Sequence, residues 1–139
     1  MNMLMVVNDV NDIDQFSNLK RYFDIVEDLR LTVLYISDIH EGLCIQEGPN
    51  PRYILPDAEL QYTEALEEHV THEFLHWLDR VQFRHEVGEP IDVIRRVMQD
   101  ERIDVMAVCR KDYDEHALSS LEVPHVMFES DDPPLPLAN

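Results

Sequence analysis

Residues 3 to 7, MLMVV, are apolar without interruption and stop at Asn8-Asp9, the pattern of a strand buried on both faces. The period then changes. Ile13, Phe16, Leu19, Phe23, Val26 and Leu29 recur at three- and four-residue steps, which predicts a helix with Asn11 or Asp12 as its N-cap. Residues 31 to 37, LTVLYIS, are again mostly apolar and rich in β-branched side chains, and predict a second buried strand. Residues 41 to 56 contain Gly42, Gly48, Pro49, Pro51 and Pro56 and read as a loop.

From Asp57 to Arg80 neither Gly nor Pro interrupts the chain, and Thr63, Leu66, Val70, Phe74, Trp77 and Val81 form one stripe at helical spacing, so a second helix is predicted over this whole stretch. Residues 81 to 87, VQFRHEV, alternate apolar and polar positions, as a strand with one wetter face near a sheet edge does. Gly88-Glu89-Pro90 is a turn with Pro where a first helical turn accepts it. Ile91, Ile94, Val97 and Met98 then share the apolar face of a third helix ending near Arg102. DVMAVC, residues 104 to 109, and VPHVMFE, residues 123 to 129, are short apolar strands separated by a polar link.

Strands and amphipathic helices that alternate in this way predict an α/β fold: a single domain with a mostly parallel five-stranded sheet and helices on both faces. The domain spans residues 1 to 130, and the Pro-rich residues 131 to 139 form an extended tail. No internal repeat is visible. At 139 residues and 45% hydrophobic content the chain suits one folded domain and not a disordered one.

Charge narrows the functional classes. The formal net charge is −18, from 29 acidic and 11 basic residues, and such a surface repels phosphate backbones and anionic lipids, so neither nucleic acid nor a membrane is an expected partner. No apolar run approaches the ~20 residues of a membrane span, and MNMLMVVND lacks the basic start of a signal peptide. Cys44 and Cys109 are too few for a disulfide scaffold. A cytoplasmic location follows as the expectation.

One motif suggests catalysis. His72-Glu73-Phe74-Leu75-His76 spells H-E-x-x-H, which on a helix puts two zinc ligands on one face with a glutamate to polarise the bound water. A third ligand is still needed, and the positions where the extended motif wants Gly and His are Asp79 and Gln82. On the predicted helix His69, His72 and His76 also project away from the core stripe. The favoured reading is a solvated polar face with no metal and no catalytic residue. A surface patch of His69, His72, His76 and Asp79 taking zinc or nickel stands beside it, as does a zinc hydrolase using His72, Glu73 and His76.

The stretch FRHEVGEPIDVIRRVMQDERIDVMAVCRK, with Gly88 and Pro90 in a turn, Ile91 and Ile94 opening a helix and Asp104 before a strand, resembles the middle of a universal stress protein domain. MLMVVND and LTVLYISD are similar to that family's first two strands and VPHVMF to its last. The resemblance covers residues 1 to 130 and implies a small α/β protein, usually a homodimer, engaged in stress response or regulation. A last strand, residues 123 to 129, at a sheet edge would offer backbone groups for pairing across that dimer.

Some members of the family bind ATP, and the resemblance maps a vestigial nucleotide pocket onto Asn8, Asp9, Ile36, Cys109 and Arg110. The chain departs from the binding pattern, however. Asn8, with Asp9 beside it, stands where the family has an acidic residue, and Cys109 and Asp112 stand at the two Gly positions of the phosphate loop. A phosphate cradle needs closely approaching backbone N–H groups, and the Asp112 carboxylate repels polyphosphate. Only 13 residues separate Cys109 from Val123, too few for that loop and a fourth helix. The leading expectation is therefore a non-enzymatic homodimer without a cofactor, with a module binding ATP or AMP as the alternative.

Overall fold

The computed structural model describes residues 1–37, 43–47, 50–109, 118–121 and 124–128. The strands are β1 (Asn2–Val7), β2 (Arg30–Ser37), β3 (Leu43–Glu47), β4 (Asn50–Ile54), β5 (Val81–Val87), β6 (Val105–Cys109) and β7 (His125–Phe128). The α-helices are α1 (Val10–Gln15), α2 (Tyr22–Ile25), α3 (Asp57–Glu73) and α4 (Pro90–Glu101). Five strands form one sheet in the order β5-β2-β1-β6-β7, every pairing parallel. This is the five-stranded α/β architecture that the alternating pattern predicts, with β5 and β7 at its edges.

The apolar run of β1 lies at the sheet centre, and Leu4, Met5, Val6 and Val7 are all buried. Alternation along the strand divides these side chains between two cores. Met5 and Val7 join Ile13, Phe16, Phe23, Leu66, Val70 and Phe74 beneath α1, α2 and α3. Leu4 and Val6 meet Val93, Ile94 and Val97 of α4, with Leu118 and Leu121, on the other face. Pro90 opens α4, Glu89 caps it by accepting from the Asp92 amide at 3.0 Å, and Arg102 closes it in the left-handed region at φ 52°.

Three predicted segments come out differently. Residues 11 to 30 are not one helix: α1 gives way to a 3-10 turn over Phe16–Arg21 and then to the short α2. Ser17 and Asn18, residue types of low helix propensity, fall in this stretch of the sequence. The N-cap is Asp9, whose Oδ1 accepts from the Asp12 amide at 2.9 Å, because Asp12 is turned inward and is 1% exposed.

Residues 41 to 56 are not a plain loop either, since β3 and β4 pair antiparallel with Glu47 opposite Asn50. A two-stranded ribbon is all edge, so Pro51 needs no ladder donor there.

α3 stops at Glu73, short of the predicted Arg80, and continues as a 3-10 turn over Leu75–Trp77. Tightening that turn places Phe74 edge-on to Phe23 at 6.1 Å and stacks Trp77 on Phe23 at 5.2 Å. Arg80 secures the exit by donating to the Phe23, Val26 and Glu27 carbonyls. Burial of Phe74 and packing of the partly buried Trp77 on Phe23 take the place of one further turn of α-helix. The last strand is shorter than its predicted 123–129, and the tail at 131–139 lies outside the described residues.

Candidate functional site at the carboxyl ends of the strands

In an open parallel sheet, ligands gather outside the carboxyl ends of the strands, where the strand order reverses direction. Here that place is between β1 and β6. β1 delivers Asn8 and Asp9 to it. The Asn8 amide donates to Asp12 Oδ2 at 2.8 Å, and the Tyr62 hydroxyl, from α3, donates to the Asn8 carbonyl. Both backbone groups of Asn8 and the Asp9 carboxylate thus have partners within the fold.

β2 contributes Tyr35 and Ser37, two residues apart and hence on one face. Glu59, in the first turn of α3, accepts at Oε1 from both: from the Tyr35 hydroxyl, and from Ser37 Oγ at 2.8 Å. His85 stands opposite Tyr35 in the ladder with β5. Its ring stacks on Tyr35 at 5.5 Å, and its Nε2 lies 2.8 Å from Ser37 Oγ. Tyr62 meets the Tyr35 ring edge-on at 5.5 Å. Polar contacts therefore link His85, Ser37, Glu59 and Tyr35, and the Tyr35–Tyr62 ring contact joins them to Asn8 at the end of β1.

Electrostatics tightens these contacts. Burial pushes the Tyr35 hydroxyl far above the ordinary tyrosine value, and Glu59 adds to the effect. Burial also raises Tyr62, reinforced by Asp9, Asp12 and Glu59. Both phenols are therefore held as donors. Burial lowers His85, with Glu59 and Glu86 opposing the shift, which keeps the imidazole neutral near pH 7. Ser37 has one proton and gives it to Glu59, so His85 must donate from Nε2 to the serine oxygen.

Ser37 and His85 thus stand at the separation of a nucleophile and its base with the proton running the opposite way. Ser37 is also 1% exposed. The arrangement orders the ends of three strands and one helix, and the serine is not poised for attack.

The residues mapped by resemblance are only partly brought together. Asn8 and Asp9 adjoin β6, which runs alongside β1 with Met5 opposite Ala107, and Cys109 ends that strand. Ile36 packs against the α4-side core, on the opposite face of β2 from Tyr35 and Ser37. The Cys109 side chain, Arg110 and Asp112 lie outside the description, as does Cys44's side chain.

Tyr35, Ser37, Glu59, Tyr62 and His85 escaped the sequence reading. Their one signal is a pair of polar groups, Tyr35 and Ser37, spaced by two in an otherwise apolar strand. A cavity of about 350 Å³ lies at the other end of the sheet, lined by Asn2, Arg30, Thr32, Gln82 and Glu101.

The H-E-x-x-H residues do not converge. Glu73 is the last residue of α3 and His76 belongs to the following 3-10 turn. Glu73 pairs with Lys20 at 3.6 Å, His76 meets Trp77 edge-on at 5.8 Å, and His72 lines an open depression with Glu67, Glu68, Thr71 and Leu75. Among the described residues the group able to converge on one ion is Asp14, His69 and Glu73, without His72 or His76.

No family model and no curated protein matches the sequence. The fold is nevertheless similar to solved universal stress proteins. One, in complex with cAMP, aligns at TM-score 0.64 and 9% identity over 94% of this chain and 98% of its own. One from Arabidopsis thaliana with AMP bound aligns at 0.63 and 15% identity over 100% and 99%. One from Archaeoglobus fulgidus aligns at 0.63 and 9% identity over 93% of both chains. The chain therefore carries the universal stress protein fold, a parallel α/β sandwich.

Proposed function

We propose that this chain is a non-enzymatic regulatory protein of the stress-response type that acts as a cytoplasmic homodimer, joined through the outer edge of β7. The observation that carries this reading is the edge itself. β7 pairs with β6 on one side, and among the described residues no strand covers the other. The Met106 amide donates to the Pro124 carbonyl, so residues 126 and 128 direct their polar groups to β6, and alternation turns those of His125 and Met127 outward. An open row of this kind recruits a second strand, and a two-fold copy of β7 supplies one.

The polar contacts at the other candidate site support the absence of catalysis, since their donors and acceptors are bound to one another. Among the described residues no helix is long and apolar enough to cross a membrane. Sedimentation equilibrium at micromolar concentration tests the proposal. A dimer is expected for the native chain and a monomer for Met127→Pro, which removes an outward N–H and leaves the β6 ladder intact. A native chain that stays monomeric overturns it.

A second reading has a specific basis, since fold neighbours were solved with AMP and cAMP and Asn8 and Asp9 lie at the strand-order switch. Under it the chain binds a nucleotide at that switch. Calorimetric titration with AMP, cAMP and ATP distinguishes the two: saturable heat lost in Asn8→Ala supports the nucleotide module, and flat titrations at millimolar ligand support the reading above.

A further inference from the structure

The histidine and glutamate that share a helical face at ligand spacing are not the adjacent pair of the H-E-x-x-H motif, which contributes its glutamate alone. They are His69 and Glu73, four residues apart and both within α3, so their side chains stack one turn above the other. The fold adds a third donor from a distant part of the chain. Asp14, in α1, lies with its Oδ1 2.8 Å from His69 Nε2. The donor atoms of Asp14, His69 and Glu73 all fall within 4.8 Å of one another. The geometry points to a divalent metal site of the zinc class at the seam between α1 and α3, with one imidazole and two carboxylate ligands.

The donor chemistry selects that class. A nitrogen with two carboxylate oxygens suits zinc and its first-row neighbours, whereas calcium and magnesium prefer oxygen throughout. Bonds of about 2.0–2.2 Å in a tetrahedral site separate ligand atoms by about 3.4 Å. The His69–Asp14 pair opens slightly to admit the ion, and the Glu73 carboxylate swings in by a side-chain rotation.

A second observation shows that the seam already attracts positive charge. Lys20 places its ammonium 3.6 Å from Glu73 and 5.9 Å from the centre of the Phe74 ring. It is the incumbent cation, and the metal displaces it. Three protein ligands leave a fourth position for water or for a donor from a partner molecule. His72 and His76 take no part, because the helix ends between them.

Zinc titration of the full chain against a competing chelator tests the assignment. One zinc per chain is expected, weakened by at least about 10- to 100-fold in His69→Ala and in the near-isosteric Asp14→Asn and Glu73→Gln, since loss of a group that merely supports a ligand already costs that much. Lys20→Met, which keeps the stem and removes the charge, is expected to bind more tightly. The His72→Ala/His76→Ala double variant is expected to bind as the native chain does. Cobalt substitution supplies an optical readout, with an absorption band lost in His69→Ala. The proposal is overturned if binding is not stoichiometric, if it survives Asp14→Asn and Glu73→Gln unchanged, or if it follows His72 and His76 instead of His69.

Discussion

Ser37 Oγ lies 2.8 Å from His85 Nε2 and gives its proton to Glu59 at 2.8 Å, so the imidazole serves the hydroxyl as a donor. His85 is held below the ordinary histidine value by burial. The folded state therefore binds fewer protons than the unfolded chain as pH falls below the unperturbed value of about 6.5, and stability falls with it. The contribution is complete above that value and is lost as pH drops toward the depressed folded value. Thermal melts of the native chain and of His85→Gln, whose amide still donates to Ser37, are expected to diverge at neutral pH and converge in acid. Parallel curves from pH 7.5 to 5 would remove His85 from the pH response.

Glu59 is the acceptor shared by Tyr35 and Ser37. Glu59→Ala strands two partly buried hydroxyl donors, and urea denaturation is expected to show a loss of about 2–3 kcal/mol. Tyr35→Phe removes one donor and leaves Ser37 paired, at a cost of about 1 kcal/mol. Equal losses from the two variants would show that Glu59 acts through packing and not as the common acceptor.

Phe74 explains where α3 ends. It is fully buried, while its neighbour Leu75 is 57% exposed. Phe74→Ala is expected to cost about 3–5 kcal/mol and Leu75→Ala no more than about 0.5 kcal/mol. Chemical denaturation distinguishes them, and comparable values would mean that the aromatic cluster does not set the helix end.

Gly88 sits at φ 156°, and a Cβ there would stand 2.8 Å from Val93 Cγ2. Gly88→Ala is expected to destabilise by more than about 1 kcal/mol. In the Gly88→Ala/Val93→Ala pair the combined loss should fall short of the sum, because removing the valine methyls relieves the contact. Simple additivity in a double-mutant cycle would place the strain in the backbone alone.

The proposed dimer brings together two chains of formal charge −18 each. Salt screens that repulsion, so dissociation is expected to weaken as sodium chloride rises from about 20 to 500 mM. Sedimentation across that range checks the direction. A dimer that loosens with salt would point to ion pairs, and not backbone pairing, at the interface.

Much of the architecture was legible in the sequence because hydrophobic period is a local signal. The run in β1 and the face of α4 each appear as patterns within a few residues, and both are buried as their spacing requires. Segment ends were less legible. The continuous pattern from Asp57 to Arg80 gives no sign that the chain tightens after Glu73, since that depends on Phe23, which is distant in sequence. The ribbon of β3 and β4 was hidden by its glycines and prolines, which break helices yet suit a two-stranded hairpin.

The candidate sites divide in the same way. The sequence by itself determined the order of strands and helices, the parallel sheet, the acidic surface and the position of Asn8 and Asp9 at the end of β1. Tertiary structure alone decided that Glu59 would serve Tyr35 and Ser37, that Ile36 would face away from them, and that His69 would find Asp14 while His72 and His76 part company. Periodicity fixes which face of an element is buried, but the meeting of side chains from separate elements is set by how those buried faces pack.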